Sequence, residues 1–207
     1  MSSIVYLNGE YLPRSEARIS VDDRGFVFGD GVYEVTRALD GNLYEAEAHL
    51  RRLERGLAGL EMSGREEIDG AELLEASERL LRENDLLQGH ASVYLQVTRG
   101  AAPRTHQFPP ANTRPTVFLS ASRFTPAAEL HERGAAAITH PDIRWSRCDL
   151  KTVNLLPNVL AKQHAVAAGA TEAILIRDGV VTLEDAMSAA SNPHDLAVEL
   201  RRLGLVA

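Results

Sequence analysis

The sequence predicts an α+β fold, because signals for antiparallel hairpins alternate along the chain with signals for amphipathic helices. Asn8-Gly9 lies between two short apolar stretches, and this dipeptide readily adopts the positive φ angles of a tight hairpin turn. Asp178-Gly179 gives the same signal between two later apolar stretches. Between these hairpins, leucines recur at helical spacing over residues 46–60 and 69–84.

The remaining elements follow in order along the chain. Three glycines within residues 24–31 suit a bent backbone that approaches another element closely. Pro126 and the short polar residues around it indicate a boundary, so we expect domains at 1–121 and 122–182, followed by a tail at 183–207. The pattern also predicts strands at 4–7, 11–13, 32–37, 91–98, 116–120, 135–139, 172–176 and 180–182, and a helix at 153–168 interrupted near Pro157.

Composition argues against several classes of function. The 207 residues are 44% hydrophobic and 25% charged, which is typical of a globular protein. The net charge of -7 is spread along the chain, so we expect small-molecule partners and neither nucleic acid nor membrane. Cys148 is the only cysteine, so no disulfide and no metal site is expected. Residues 1–6 lack the features of a signal peptide, which favours the cytoplasm.

Amine chemistry has two candidates, because the 22 basic residues include only two lysines, Lys151 and Lys162. A lysine that attacks a carbonyl needs partial burial, since burial lowers the pKa of its amine. Lys151 lies among apolar residues, whereas Lys162 lies in the middle of a predicted helix. Lys151 is therefore the preferred catalytic lysine, and a surface lysine at a strand end is the alternative that the spacing leaves open.

A second polar feature lies in the loop that contains Arg104 and His106. Prolines stiffen this loop, and an arginine fork beside an imidazole suits the binding of a carboxylate. An exposed arginine beside an ordinary loop histidine is the alternative.

Several long motifs in this order resemble the class IV, or fold type IV, pyridoxal-phosphate aminotransferases, and among them most closely the D-amino-acid transaminases. The resemblance covers residues 4–182 and implies a two-domain fold type IV enzyme with pyridoxal 5'-phosphate as its cofactor. Family members are commonly homodimers. The motifs are Asp23-Arg24-Gly25-Phe26-Val27-Phe28-Gly29-Asp30-Gly31-Val32-Tyr33-Glu34, His49-Leu50-Arg51-Arg52-Leu53, residues 99–109, residues 142–151 and Asn154-Leu155-Leu156.

The resemblance implies a role for each of five residues in transamination between D-amino acids, such as D-alanine, and 2-oxo acids. Lys151 would carry the cofactor and act as the catalytic base, and Arg52 would bind the cofactor phosphate. Tyr33, Arg104 and His106 would hold the substrate α-carboxylate. Branched-chain aminotransferases and aminodeoxychorismate lyases share the fold and the lysine, but the arginine and histidine pattern is less typical of them.

The resemblance ends after Thr182. The family continues with a glutamate that pairs with the cofactor ring nitrogen, whereas this chain has Leu183. The resemblance therefore implies that the second, cofactor-binding domain, 122–182, is truncated and ends in a non-family helical tail. Leucines at helical spacing predict that helix, and residues 183–207 weakly resemble the C-terminal tail of type IV pilus retraction ATPases. A catalytically impaired remnant, truncated or chimeric, is the alternative function.

Overall fold

The computed structural model describes residues 3–64, 68–126 and 134–182. The chain divides into two compact units. The first unit contains Met1–Thr125 and Asp149–Asn154, and the second contains Pro126–Cys148 and Leu155–Ala207. The segment 149–154 therefore belongs to the first unit, although its neighbours on both sides along the chain belong to the second.

The first unit is built on a six-stranded sheet in which neighbouring strands are antiparallel. Asn8 and Gly9, both at positive φ, form the turn between its first two strands, as the sequence predicts. The strands are β1 (Ile4–Leu7), β2 (Glu10–Pro13), β3 (Gly31–Leu39), β4 (Asn42–Leu43), β5 (His90–Thr98) and β6 (Thr116–Arg123). Their order across the sheet is β2-β1-β6-β5-β3-β4.

Helices cover one face of this sheet. The unit contains the short helix α1 (Arg24–Phe28), and the covering helices are α2 (Ala46–Gly59), which packs on β3, and α3 (Gly70–Glu83), which packs on β1, β5 and β6. Alternate strand residues point toward α2 and α3, because successive side chains of a strand face opposite sides of the sheet. The resulting core includes Val32, Leu53, Leu57, Leu73, Leu80, Val93, Val97 and Leu119.

The second unit has a smaller described core. Its elements are β7 (Ala137–Pro141), α4 (Leu156–Ala167), β8 (Glu172–Arg177) and β9 (Val180–Thr182). β7 and β8 are parallel, and β9 pairs with β8 in an antiparallel hairpin. The buried apolar cluster consists of Ala161, Ala165, Ala173 and Leu175.

The α+β composition and the hairpins agree with the sequence predictions, whereas several details differ, including the bounds of β3 and β6 and the short strand β4. Residues 24–28 form the helix α1. Five residues are too few to produce a helical period of apolar residues, so the sequence pattern does not reveal this helix. α4 begins at Leu156 with Pro157 in its first turn, where proline starts a helix instead of interrupting it. β7 begins at Ala137, two residues later than predicted.

The tail at 183–207 lies outside the described residues, and the predicted domain boundaries stay predictions. Within residues 3–64, 68–126 and 134–182, no helix is long and apolar enough to cross a membrane.

Candidate active site

The segment 149–154 docks along the edge of β3 that β4 leaves open at its first residues. The carbonyl of Lys151 accepts a hydrogen bond from the backbone N–H of Tyr33 at 3.1 Å. The carbonyl of Gly31 accepts one from the N–H of Val153, also at 3.1 Å. These two bonds form a short antiparallel bridge, so backbone hydrogen bonds fix the position of the lysine relative to the sheet.

Two glycines make room for this segment. Gly59, the last residue of α2, lies against the buried side chain of Leu150, which a Cβ at position 59 would overlap. Gly29 has a φ of 71°, and the Asn154 side chain occupies the space that a Cβ would take there. The amide of Asn154 also donates to the Gly29 carbonyl at 3.2 Å. Gly29 and Gly59 thus accommodate the segment that carries the lysine.

The amine of Lys151 contacts the phenol of Tyr33. Lys151 Nζ donates to Tyr33 Oη at 3.2 Å and lies 4.3 Å from the centre of the ring. Tyr94 stacks on Tyr33 with 5.9 Å between ring centres. Burial, with a smaller effect from Tyr33, raises the pKa of Tyr94 to about 12. The Tyr94 phenol is therefore neutral near pH 7.

The other lysine is used differently. Lys162 Nζ, on α4, donates to the carbonyl of Thr171 and pairs with Glu172 at 3.2 Å. These bonds tie α4 to the start of β8. Lys151 remains the candidate for amine chemistry.

The guanidinium of Arg52 is bound side-on by Glu34. Arg52 Nε and Nη2 donate to the two carboxylate oxygens of Glu34 at 2.6 and 2.7 Å. His49 Nδ1 lies 2.8 Å from Glu34 Oε2. The Glu34 side chain is 4% exposed, whereas that of Arg52 is 44% exposed. A buried carboxylate thus holds a guanidinium that reaches the surface.

Glu34 is ionised in this arrangement. Burial alone raises the pKa of its carboxyl, but the hydrogen bonds from Arg52 and His49 outweigh burial and hold the pKa below its usual value. Because the carboxylate only accepts, Nδ1 of His49 carries the proton that it donates. The 3.3 Å approach of Arg52 Nη2 to the same nitrogen is then a close contact between two donors.

Arg104 and His106 lie around the ring of Phe28. The Arg104 guanidinium is 5.5 Å from the ring centre, and the His106 ring meets Phe28 edge-on at 5.8 Å. Both residues are exposed. His106 also lines a cleft of about 320 Å³.

Two buried arginines form the floor of this cleft. Arg24 and Arg99 both donate to Asp30 Oδ2 at 2.8 Å, and both also bind backbone carbonyls of neighbouring loops. Burial raises the pKa of Asp30, and the hydrogen bonds from Arg99 and Arg24 lower it further than burial raises it. The charged residues that line the cleft are thus two arginines, Asp30 and Glu61, so the arginine charges are matched by carboxylates.

The five predicted site residues all belong to the first unit, in three separate clusters. Lys151 meets Tyr33, Arg52 meets Glu34, and Arg104 and His106 meet Phe28. Among the described residues, no hydrogen bond, ion pair or ring contact joins the Phe28 cluster to the Lys151 amine. The three residues predicted to bind the substrate carboxylate are therefore separated within the chain: Tyr33 lies beside the lysine, whereas Arg104 and His106 do not contact it. Their roles stay predictions.

A separate ionic network lies in the second unit. Asp142, whose side chain is 1% exposed, binds Arg144, Arg177 and the hydroxyl of Thr182. Burial raises the pKa of Asp142, but the hydrogen bonds from Arg144 and Thr182 outweigh burial and hold it far below its usual range. The network fixes the end of β9. Leu183, where the resemblance implies a glutamate, lies outside the described residues.

Comparison with known proteins identifies the family. The profile of amino-transferase class IV matches residues 31–189. This chain belongs to the class IV aminotransferases. The match extends beyond Thr182, where the predicted resemblance ends, into residues outside the described part. Membership of this family accounts for both the fold and the sequence motifs.

Curated relatives give the same family. The chain is 44% identical over 178 residues to a D-alanine aminotransferase of Staphylococcus epidermidis, which covers 86% of this chain and 62% of that protein. It is also 44% identical over 180 residues to a D-alanine aminotransferase of Bacillus licheniformis, covering 86% and 61%. The chain therefore spans less than two thirds of the length of these relatives.

Solved structures agree on the fold. A hypothetical aminotransferase from Mycobacterium tuberculosis, in a PLP-bound form, matches with a TM-score of 0.71 at 25% identity, over 86% of this chain and 63% of that one. A branched-chain aminotransferase from Thermoproteus uzoniensis matches with a TM-score of 0.73 at 20% identity, over 100% of this chain and 77% of that one. The fold type IV architecture predicted from the motifs is confirmed.

Glu34 and Asp30 have no predicted role, although both lie inside the motif at residues 23–34. The signal was available for Glu34, because an acidic residue at an inward position of a buried strand requires a cationic partner. Asp30 lies just before β3, so the alternation of buried and exposed residues along that strand gives no signal for it. Its two arginine partners become neighbours only when the sheet forms.

Proposed function

We propose that this chain catalyses transamination between D-amino acids, such as D-alanine, and 2-oxo acids with pyridoxal 5'-phosphate as cofactor. The observation that carries the proposal is the Lys151 amine, which backbone bonds to β3 hold 3.2 Å from Tyr33 Oη. The curated relatives named above are D-alanine aminotransferases, which supports the choice of substrate.

The donor set fits the cofactor. An aldehyde that carries a phosphate requires an amine and a cation, and the first unit offers the half-buried Lys151 and the partly exposed guanidinium of Arg52. When bound, pyridoxal phosphate supplies a ring that withdraws electrons from the substrate α-carbon. Lys151 would carry the cofactor and Arg52 would bind its phosphate.

The catalytic work of the chain then falls to the Lys151 amine. Its Nζ takes a proton from the substrate α-carbon and later returns one, so it acts as base and then as acid. Tyr33 accepts a hydrogen bond from Nζ and restricts where the amine points. Arg104 and His106 serve as the carboxylate-binding pair, and their common position at the ring of Phe28 supports that assignment.

Two alternative functions are consistent with the sequence. The chain resembles a branched-chain aminotransferase in fold, so L-branched amino acids, or an aminodeoxychorismate lyase-like reaction, form one alternative. A catalytically impaired chain forms the other, since Leu183 cannot pair with a ring nitrogen. We further propose that the protein works as a homodimer in the cytoplasm, on small-molecule substrates.

The test is an absorbance titration of the protein with pyridoxal phosphate, followed by D-alanine and then by L-leucine. We expect a bound-cofactor band that changes with D-alanine only. Lys151→Ala should abolish the band and lower the transamination rate by roughly 10³-fold or more, whereas the matched Lys162→Ala should leave both unchanged. A band that responds to L-leucine supports the branched-chain alternative, and a wild-type protein without a band supports the impaired one.

A further inference from the structure

The strongest unassigned feature is the carboxylate of Glu34, which the sequence motif contains without a role. It lies on the inward face of β3, next along the strand from Tyr33, and its side chain is only 4% exposed. A carboxylate is rarely buried unless it is paired, because removing its charge from water is costly. Here the partners are Arg52 and His49, both on α2.

The geometry of this pair fixes the direction of the guanidinium. Glu34 binds Arg52 through Nε and Nη2, the side-on mode in which both nitrogens share one carboxylate plane. Nη1 then points away from Glu34. An arginine on a helix surface otherwise samples many rotamers, and the bidentate bond removes most of that freedom.

We propose that Glu34 is a positioning residue that holds the Arg52 guanidinium in place to receive the phosphate of the cofactor. This assignment rests on the proposed function. His49 is part of the same device: its Nδ1–H donates to the Glu34 oxygen that also binds Arg52 Nη2, so it holds the carboxylate from the other side. The device links α2 to β3 close to Tyr33, where the lysine segment is also attached.

A purely structural role for Glu34 predicts a different result. If the pair only ties α2 to the sheet, removing it disturbs every ligand of the site alike. If Glu34 acts through Arg52, removing it weakens the binding of a phosphate-bearing ligand and spares the same ligand without phosphate. Pyridoxal phosphate and pyridoxal differ in this one group, so the pair of ligands separates the two roles.

The experiment measures the dissociation constants of both ligands by absorbance titration for the wild type, Glu34→Gln, Arg52→Ala and the double variant. By analogy with the outer partners of metal ligands, we expect Glu34→Gln to weaken the binding of pyridoxal phosphate roughly tenfold, and to change the affinity for pyridoxal less than about twofold. In the Arg52→Ala background, Glu34→Gln should have no further effect, because the two residues act as one. Equal losses for both ligands, additive losses, or an unchanged affinity for pyridoxal phosphate overturn the assignment.

Two further variants control for folding. Glu72→Gln changes another hydrogen-bonded glutamate of the first unit, which accepts from Tyr6 at 2.8 Å, and should leave both affinities unchanged. Glu34→Asp keeps the charge and should retain part of the preference for pyridoxal phosphate over pyridoxal. If Glu34→Asp weakens pyridoxal phosphate as much as Glu34→Gln does, and weakens pyridoxal equally, the assignment is contradicted. If the wild-type protein binds neither ligand, the proposed function and this assignment are both overturned. If the wild type and Glu34→Gln bind pyridoxal phosphate equally tightly, only the assignment is overturned.

Discussion

The two units of the chain are stabilised in different ways. In the first unit, α2 and α3 cover a six-stranded sheet, and their leucines form an extended buried core. In the described part of the second unit, the buried apolar cluster contains three alanines and one leucine, while a buried aspartate gathers two arginines and a threonine. The first unit thus combines its ion pairs with an extended apolar core, whereas the described residues of the second unit place one buried ionic network beside a small apolar cluster.

The largest expected effect comes from the core of the first unit. Leu80 of α3 is completely buried, so Leu80→Ala removes apolar contacts and leaves a cavity. We expect the free energy of unfolding to fall by about 3 kcal/mol, measured by urea denaturation followed by circular dichroism. The matched control is Leu156→Ala on α4, where the leucine is 68% exposed; we expect a change below about 0.5 kcal/mol. Equal losses at the two positions would show that the exposed face of α4 is covered in solution.

An intermediate effect should follow the loss of charge at Asp142. Asp142→Asn weakens the bonds from Arg144, Arg177 and Thr182, and we expect it to cost about 2 kcal/mol. Asp178→Asn, in the exposed turn between β8 and β9, is the control and should change stability little. If the two variants unfold alike, the ionic network does not maintain the second unit.

The same residue gives a dependence on pH. The pKa of Asp142 is lower in the folded chain than in the unfolded chain, so its contribution is complete above the unfolded value. The contribution should decline as the pH falls from about 4 toward the folded value. Denaturation midpoints of the wild type should therefore fall over this range more steeply than those of Asp142→Asn, and parallel curves would exclude the aspartate as the cause.

The smallest effect is expected at the exposed ion pair of α3. Arg79 and Glu83 meet at 3.1 Å, but their side chains are 46% and 40% exposed, so water and salt screen the pair. Glu83→Gln should change the free energy of unfolding by less than about 0.5 kcal/mol, no more than Glu78→Gln on the same helix. A loss comparable to that at Asp142 would mean that charge pairs contribute equally to both units.

Much of the fold could be predicted because its signals are local. The Asn8-Gly9 hairpin and the helices α2 and α3 each follow from a turn dipeptide or a leucine period. The helix α1 could not be predicted, because its start and end depend on the Asp23 side chain and on the positive φ of Gly29. Such features become visible only when the backbone angles are known.

The candidate site was predictable in its parts but not in its arrangement. Lys151 is identified by the shortage of lysines and by its motif, since the other lysine, Lys162, lies in the middle of a predicted helix. Its membership of the first unit depends on backbone bonds to Gly31 and Tyr33, more than a hundred residues earlier in the chain. The pairing of Glu34 with Arg52 is likewise a contact between a strand and a helix, which the spacing of one element does not reveal.

The docking of residues 149–154 on β3 also affects how the gene for this chain could be divided. A protein that stops before residue 149 would contain the whole six-stranded sheet and the Glu34–Arg52 pair, yet it would lack the amine. Conversely, a circular permutation that opens the chain between the second unit and Asp149 would place the lysine at a terminus while its neighbours in space remain the same. The position of Lys151 in the molecule therefore does not depend on its position along the gene. The open edge of β3 determines where the lysine lies in the fold.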